Sequence, residues 1–242
     1  MSHPVGARLV LLSGWGIDKR IWQTLDSYWP SSIEHHAVDW PGYGEHPTLA
    51  ENATIDQLAS AMASHLPADA VWVGWSLGGL LAGALLDKLP APRRLILLGI
   101  GDRFCTDGGV SETELLRFRR AFNRNPTAAW QHFLRWQVQG EPCVRNAHRQ
   151  LQTLLDDHPN ADHRTLSHGL DWLAHTDNTQ RFENAPCPII RVVGKHDPFV
   201  GPSTRDRAML IANAGHCPML SQPAQLALML AEQASLTAKE LA

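Results

Sequence analysis

Three residue types that together can break an acyl bond occur in one order along this 242-residue chain: Ser76, Asp197 and His216. Serine alone is a weak nucleophile near neutral pH and needs a general base within hydrogen-bond reach. Imidazole titrates near the working pH, so His216 suits that role. The histidine in turn needs a carboxylate that fixes its tautomer and stabilises the imidazolium, the role assigned to Asp197. Asp102 is a second candidate for the acid. Asp197 is preferred because a strand, Gly194 and then a carboxylate near a turn suit an orienting group. Acyl transfer also needs donors for the developing oxyanion. Leu77 N–H, directly after the nucleophile, and Trp15 N–H, in the loop after the first strand, are the expected pair. Gly14 and Gly16 would let that loop approach a bound carbonyl.

These residues need a scaffold that brings them to one edge. Ser76 sits in Val71-Trp72-Val73-Gly74-Trp75-Ser76-Leu77-Gly78-Gly79, an apolar run meeting Gly-x-Ser-x-Gly and passing into a helical stretch, Leu80 to Leu89. Strand, sharp turn and helix are the context of a nucleophile elbow. Further apolar runs read as strands: Arg8 to Leu12, Ile33 to Trp40, Arg94 to Leu98, Ile189 to Val193 and Met209 to Ala212. Helical patterns separate several of them, including one capped by Thr54 and stopped by Pro67, and one that Pro223 starts. The alternation predicts an α/β fold with a mostly parallel sheet and helices on both faces. Ser76, Asp197 and His216 each follow a strand, where open α/β sheets place their chemistry.

From Ser111 to about Thr176 the pattern changes to helices alone. Ser111 and Glu114 form a capping box, Asn125-Pro126 opens a second helix that Gly140 ends, Val144 to Leu155 is a third, and Asp162 caps a fourth. A four-helix cap inserted over the strand ends follows, dividing the chain into core 1–108, cap 109–183 and core 184–242.

Composition narrows the function classes. Apolar residues make up 44% and charged residues 19%, ordinary for a soluble enzyme with a full core. A net charge of −3 argues against general nucleic-acid binding, and no apolar run is long enough to cross a membrane. Met1 to Ala7 lacks a basic leader region, and Cys105, Cys143, Cys187 and Cys217 lack CxxC spacing. A cytoplasmic, monomeric protein with reduced thiols is expected, without a metal. Neither Gly42-x-Gly44 nor Gly99-x-Gly101 has the third glycine of a dinucleotide fingerprint, so no cofactor is expected.

With these residues in place, the chain resembles the α/β-hydrolase superfamily throughout its length. More narrowly, it is similar to the esterases that cleave the methyl ester of a pimeloyl chain on acyl carrier protein in biotin synthesis. The resemblance rests on Leu11 to Gly16, Val38 to Gly44, Trp72 to Leu80, Phe133 to Gln137, the Asp197 loop and Gly215-His216. It implies an α/β-hydrolase fold and a cofactor-free carboxylesterase. It further implies a substrate site formed by Trp15, Ser76, Leu77, Phe133, Leu134, Arg135, Trp136, Gln137 and His216. Arg145 and Arg149 match carrier-contacting positions. Charge points the same way: residues 111–155 hold seven arginines against three glutamates, in a chain that is acidic overall. A general small-ester or lactone hydrolase, a haloperoxidase-like relative and a non-catalytic receptor are the alternatives. The chain departs from the family at Ser13-Gly14, where His-Gly is usual and the histidine braces the oxyanion loop.

Overall fold

The computed structural model describes residues 7–236; the opening segment read for a leader lies largely outside them. Among the described residues, six strands form one fully parallel sheet in the order β2-β1-β3-β4-β5-β6. They are β1 Ala7–Leu12, β2 Ile33–Val38, β3 Val71–Trp75, β4 Arg94–Leu98, β5 Ile189–Gly194 and β6 Met209–Ile211. Every residue of β3 and β4 is buried. Strands covered on both faces read as continuous apolar runs, which is why they were visible in the sequence. Leu12 pairs with Gly74, Trp75 with Leu98, and Leu98 with Val192. That register ends β1, β3, β4 and β5 along one edge, so the loops leaving them converge.

Local chemistry explains the core helices. Thr54 caps α1 (Ile55–Met62) in a full capping box with Gln57, and the helix ends well before Pro67. Helix α2 (Leu77–Ala84) begins directly after Ser76, three residues earlier than its apolar run suggests, and passes into a short 3₁₀ turn. Its packing against β3 and β4 leaves it buried on all sides.

Between β4 and β5 lie α3 (Glu112–Arg124), α4 (Pro126–Gln137), α5 (Val144–Leu155), α6 (His163–His175) and the short α7 (Thr179–Glu183). Ser111 caps α3 with Glu114, Asn125 caps α4 ahead of Pro126, and Asp162 caps α6. Helix α6 packs on the elbow helix α2, and α5 on a 3₁₀ segment, Lys19–Tyr28, that the sequence pattern did not reveal. The short helices α8 (Pro202–Arg205) and α9 (Pro218–Ser221) and the final α10 (Pro223–Ser235) complete the fold. Among the described residues, no helix is long and apolar enough to cross a membrane.

Candidate active site

Ser76 stands between β3 and α2 with φ 54° and ψ −124°, a left-handed conformation that costs a non-glycine residue about 1–3 kcal/mol. The surroundings hold it there. Its N–H donates to Leu98 O on β4 at 2.9 Å, and its carbonyl accepts Gly79 N–H at 2.9 Å. Close approach explains the flanking glycines: a Cβ on Gly78 would come within 2.6 Å of the Ser13 carbonyl, and one on Gly14 within 3.0 Å of Ser76 Cβ. The loop after β1 is therefore pressed against the elbow.

His216 lies on the loop after β6 and is completely buried. Its Nδ1 is 2.8 Å from Asp197 Oδ2. Asp197 is also buried, and its other oxygen accepts Phe199 N–H at 2.9 Å. Arg205 steadies the turn by donating to the carbonyls of Asp197 and Val200, each at 2.8 Å. With Nδ1 engaged by the carboxylate, the acceptor lone pair falls to Nε2, which is buried and has no hydrogen-bond partner. Asp102 is engaged elsewhere: it forms ion pairs with Arg191 and Arg207, and its carbonyl accepts Asn178 N–H. Of the two candidate acids, only Asp197 meets the histidine.

The loop Ser13–Gly16 is braced by groups that spacing did not disclose. Trp40 Nε1 donates to Ser13 O at 3.0 Å, Trp130 Nε1 from α4 donates to Gly16 O at 2.8 Å, and Gly16 N–H donates to Tyr43 Oη at 2.8 Å. Ser13 Oγ donates to Asp18 O at 3.2 Å. These four bonds brace the loop that carries Ser13. The available signal was the abundance of tryptophan, nine in the chain, without any indication of where each indole points. Among the described residues, neither Trp15 N–H nor Leu77 N–H has a bonded acceptor.

An aromatic wall surrounds the site. The Trp15 ring meets Phe118, Phe122 and Phe133 edge-on, while Phe199 lies 4.5 Å from the His216 ring and stacks on Phe133. Trp136 packs against Phe199 at 4.7 Å. Gln137 is buried with its Nε2 unpartnered. Leu134 and Arg135 sit apart from this wall, lining a cleft with Trp130, His148 and Asp156. Arg145 and Arg149 lie exposed on α5, and Arg117, Arg120 and Arg124 on α3. Among the described residues, no three His, Cys, Asp or Glu side chains cluster as a metal site.

A strained serine at an elbow, a buried His–Asp pair and a glycine loop against the serine, all on one edge of a parallel sheet, define a hydrolase-type site. The chain belongs to the alpha/beta hydrolase family, whose pattern it matches over residues 9–227. It is 31% identical over 228 residues to the pimeloyl-[acyl-carrier protein] methyl ester esterase of Sodalis glossinidius, covering 89% of this chain and 88% of that protein. It is also 31% identical over 236 residues to the protein of the same name from Photobacterium profundum, covering 90% and 91%. An esterase from Exiguobacterium antarcticum shares the fold, with a TM-score of 0.79 at 17% identity over 96% of this chain and 92% of that one.

Proposed function

We propose that this chain, a carboxylic ester hydrolase of the alpha/beta hydrolase family, hydrolyses the methyl ester of a pimeloyl chain carried on acyl carrier protein, a step of biotin synthesis. The observation that carries the chemistry is the buried His216–Asp197 pair at 2.8 Å together with the strained Ser76. In this reading Ser76 Oγ attacks the ester carbonyl and His216 Nε2 takes its proton, Asp197 holding the ring through Nδ1. Trp15 and Leu77 N–H groups receive the oxyanion. Collapse of the tetrahedral intermediate expels methoxide, which takes the proton from His216 and leaves as methanol. Water then attacks the acyl-enzyme, passing its proton to His216. The free acid departs as Ser76 regains its proton.

The walls and the surface of the site favour this substrate. An aliphatic diacid chain gains from burial against Trp15, Phe133 and Trp136, at about 0.8 kcal/mol per methylene. Gln137 Nε2 is an unused buried donor for a substrate oxygen. The exposed Arg145 and Arg149 suit an acidic carrier, and a carrier-bound substrate together with four free thiols suits a cytoplasmic setting. The test compares kcat/KM for the carrier-bound methyl ester with that for short free esters. A strong preference for the carrier-bound ester supports the reading, whereas equal or better turnover of free esters makes the protein a generalist.

A further inference from the structure

Glu141 is a carboxylate of the cap that is only 4% exposed. Its Oε1 accepts the N–H of Cys217, the residue after His216, at 2.7 Å, and its Oε2 has no partner. Among the described residues no Lys, Arg or His forms an ion pair with it. Burying an unpaired carboxylate costs several kcal/mol, and one backbone hydrogen bond offsets only part of that. A residue this expensive beside a catalytic loop calls for a role in that loop.

The segment that carries Glu141 reaches both loops of the His–Asp pair. Gly140, at φ 88°, lies against the carbonyl of His196, so that a Cβ there would overlap it. Gly215 lies so close that a Cβ on it would be 2.9 Å from Glu141 Oε1. The Gln137 carbonyl accepts a weak bond from Cys217 Sγ at 3.7 Å. The turn after α4 thus forms a strap between the loop before Asp197 and the loop holding His216.

We propose that Glu141 is a positioning residue for His216, fixing the backbone of its loop through Cys217 N–H and tying the placement of the cap to the alignment of the His–Asp pair. The proposal rests on the reading of His216 as the general base. It explains why the strap belongs to the helix that also carries Phe133, Trp136 and Gln137: one element sets both the acyl wall and the base.

The experiment uses the full chain and a short nitrophenyl ester, which makes no demand on carrier docking. Glu141→Met fills similar space without a strong acceptor, and Glu141→Gln keeps the acceptor. The expected result is a fall in kcat of about tenfold to a hundredfold for E141M with KM within about twofold, as for a misplaced catalytic group. E141Q should recover kcat to within about threefold of the parent, since its amide oxygen reaches the same N–H. The Tm of E141M should stay close to that of the parent, because loss of the unpaired buried carboxylate offsets the cost of leaving Cys217 N–H without an acceptor. Should methionine not be accommodated, Glu141→Ser, too short to reach Cys217, should show the same loss in kcat. Parental kcat in E141M or E141S would overturn the proposal, and so would a loss that E141Q shares in full. Failure of the esterase reading would show differently, as unimpaired turnover by S76A.

Discussion

The indole N–H of Trp130, on cap helix α4, donates to the carbonyl of Gly16 at 2.8 Å, joining residues 114 positions apart. The same glycine donates its N–H to Tyr43 Oη at 2.8 Å, so the loop bearing Trp15 N–H is fixed from the cap and from the loop after β2 at once. Oxyanion donors work by being held in place before charge develops. Tyr43→Phe removes one of these bonds with little change in shape, and Trp130→Phe removes the other together with part of a buried indole. Each should lower kcat by about three- to thirtyfold with KM nearly constant, for a hydrogen bond worth about 0.5–1.5 kcal/mol and the misalignment it allows. Steady-state kinetics on a short ester provide the check. A KM effect alone would mean that these residues shape the substrate wall and leave the oxyanion loop in place.

Within the His–Asp pair and the serine, the losses should not add. Ser76→Ala and His216→Ala should each remove nearly all turnover, and the double variant should be little worse, because the groups act as one unit. Asp197→Asn should cost on the order of 10⁴ in rate by letting the ring take the wrong tautomer. Asp102→Asn should leave the rate within a few fold and instead lower Tm, since Asp102 pairs with Arg191 and Arg207. A reversed ranking of the two asparagine variants would mean that a different carboxylate serves the base in solution.

Much of this arrangement was legible in the sequence because its signals are local. The buried strands are continuous apolar runs, and Thr54, Ser111 and Asp162 announce their helices within four residues. The Ser…Asp…His order could be read because each residue follows a strand. The choice between Asp102 and Asp197 was harder, since both follow strands; which one meets His216 depends on how the loops turn. Trp40, Tyr43, Trp130 and Glu141 carried no local mark. Their partners lie 27 to 114 residues away, so only the folded chain brings the groups together. The 3₁₀ segment Lys19–Tyr28 has no local signal, because its burial depends on α5 and α10 packing over it.

Acid should weaken the fold through its half-buried histidines. His46 has its pKa lowered by burial, with the neighbouring His65 adding to the effect, and burial also lowers those of His148 and His168. In the unfolded chain a histidine titrates near about 6.5, so between that value and the lowered one the unfolded state binds more protons. Stability is therefore intact above the unfolded value and is lost as pH falls through the folded ones. His46 Nε2 lies 3.1 Å from His65 Nε2, an arrangement that two protonated rings cannot keep. The Tm of the parent should drop on going from pH 7.5 to 5.5, and His46→Gln should shrink that drop by about 2–4 °C. An unchanged drop would remove His46 from the account.

Thiol chemistry should sort the cysteines by environment. Burial pushes the Cys217 thiol well up, with Glu141 and Asp197 adding to the shift, and burial takes Cys187 to about 11. A raised pKa keeps these thiols protonated at pH 8 and poor as nucleophiles, whereas Cys143 is exposed at the start of α5. Iodoacetamide at pH 8 should modify Cys143 first and leave short-ester turnover intact, as peptide mapping and assay can show. Rapid modification of Cys217 would mean that the His216 loop opens readily and that the strap described above is loose.

A carrier-protein esterase and a generalist should differ in their response to loss of the cap arginines. Arg145 and Arg149 are exposed on α5, and among the described residues the Arg149 guanidinium bonds only to the nearby Asn146. Groups so placed can influence a carrier-bound ester through long-range attraction and docking, with no part in the chemistry at Ser76. Arg145→Glu combined with Arg149→Glu should therefore raise KM for the carrier-bound methyl ester by about tenfold or more and slow association, since rim charges act mainly on encounter. Turnover of a short nitrophenyl ester should stay within about twofold, because neither side chain belongs to the wall around the serine. Added salt should reproduce part of the loss in the parent, as exposed charges are screened over about 8 Å at physiological ionic strength. Equal kinetics of variant and parent on the carrier-bound ester at low salt would make these arginines an ordinary solvated face. Equal losses on both esters would point to damage of the cap instead, since a docking defect must spare the substrate that does not dock.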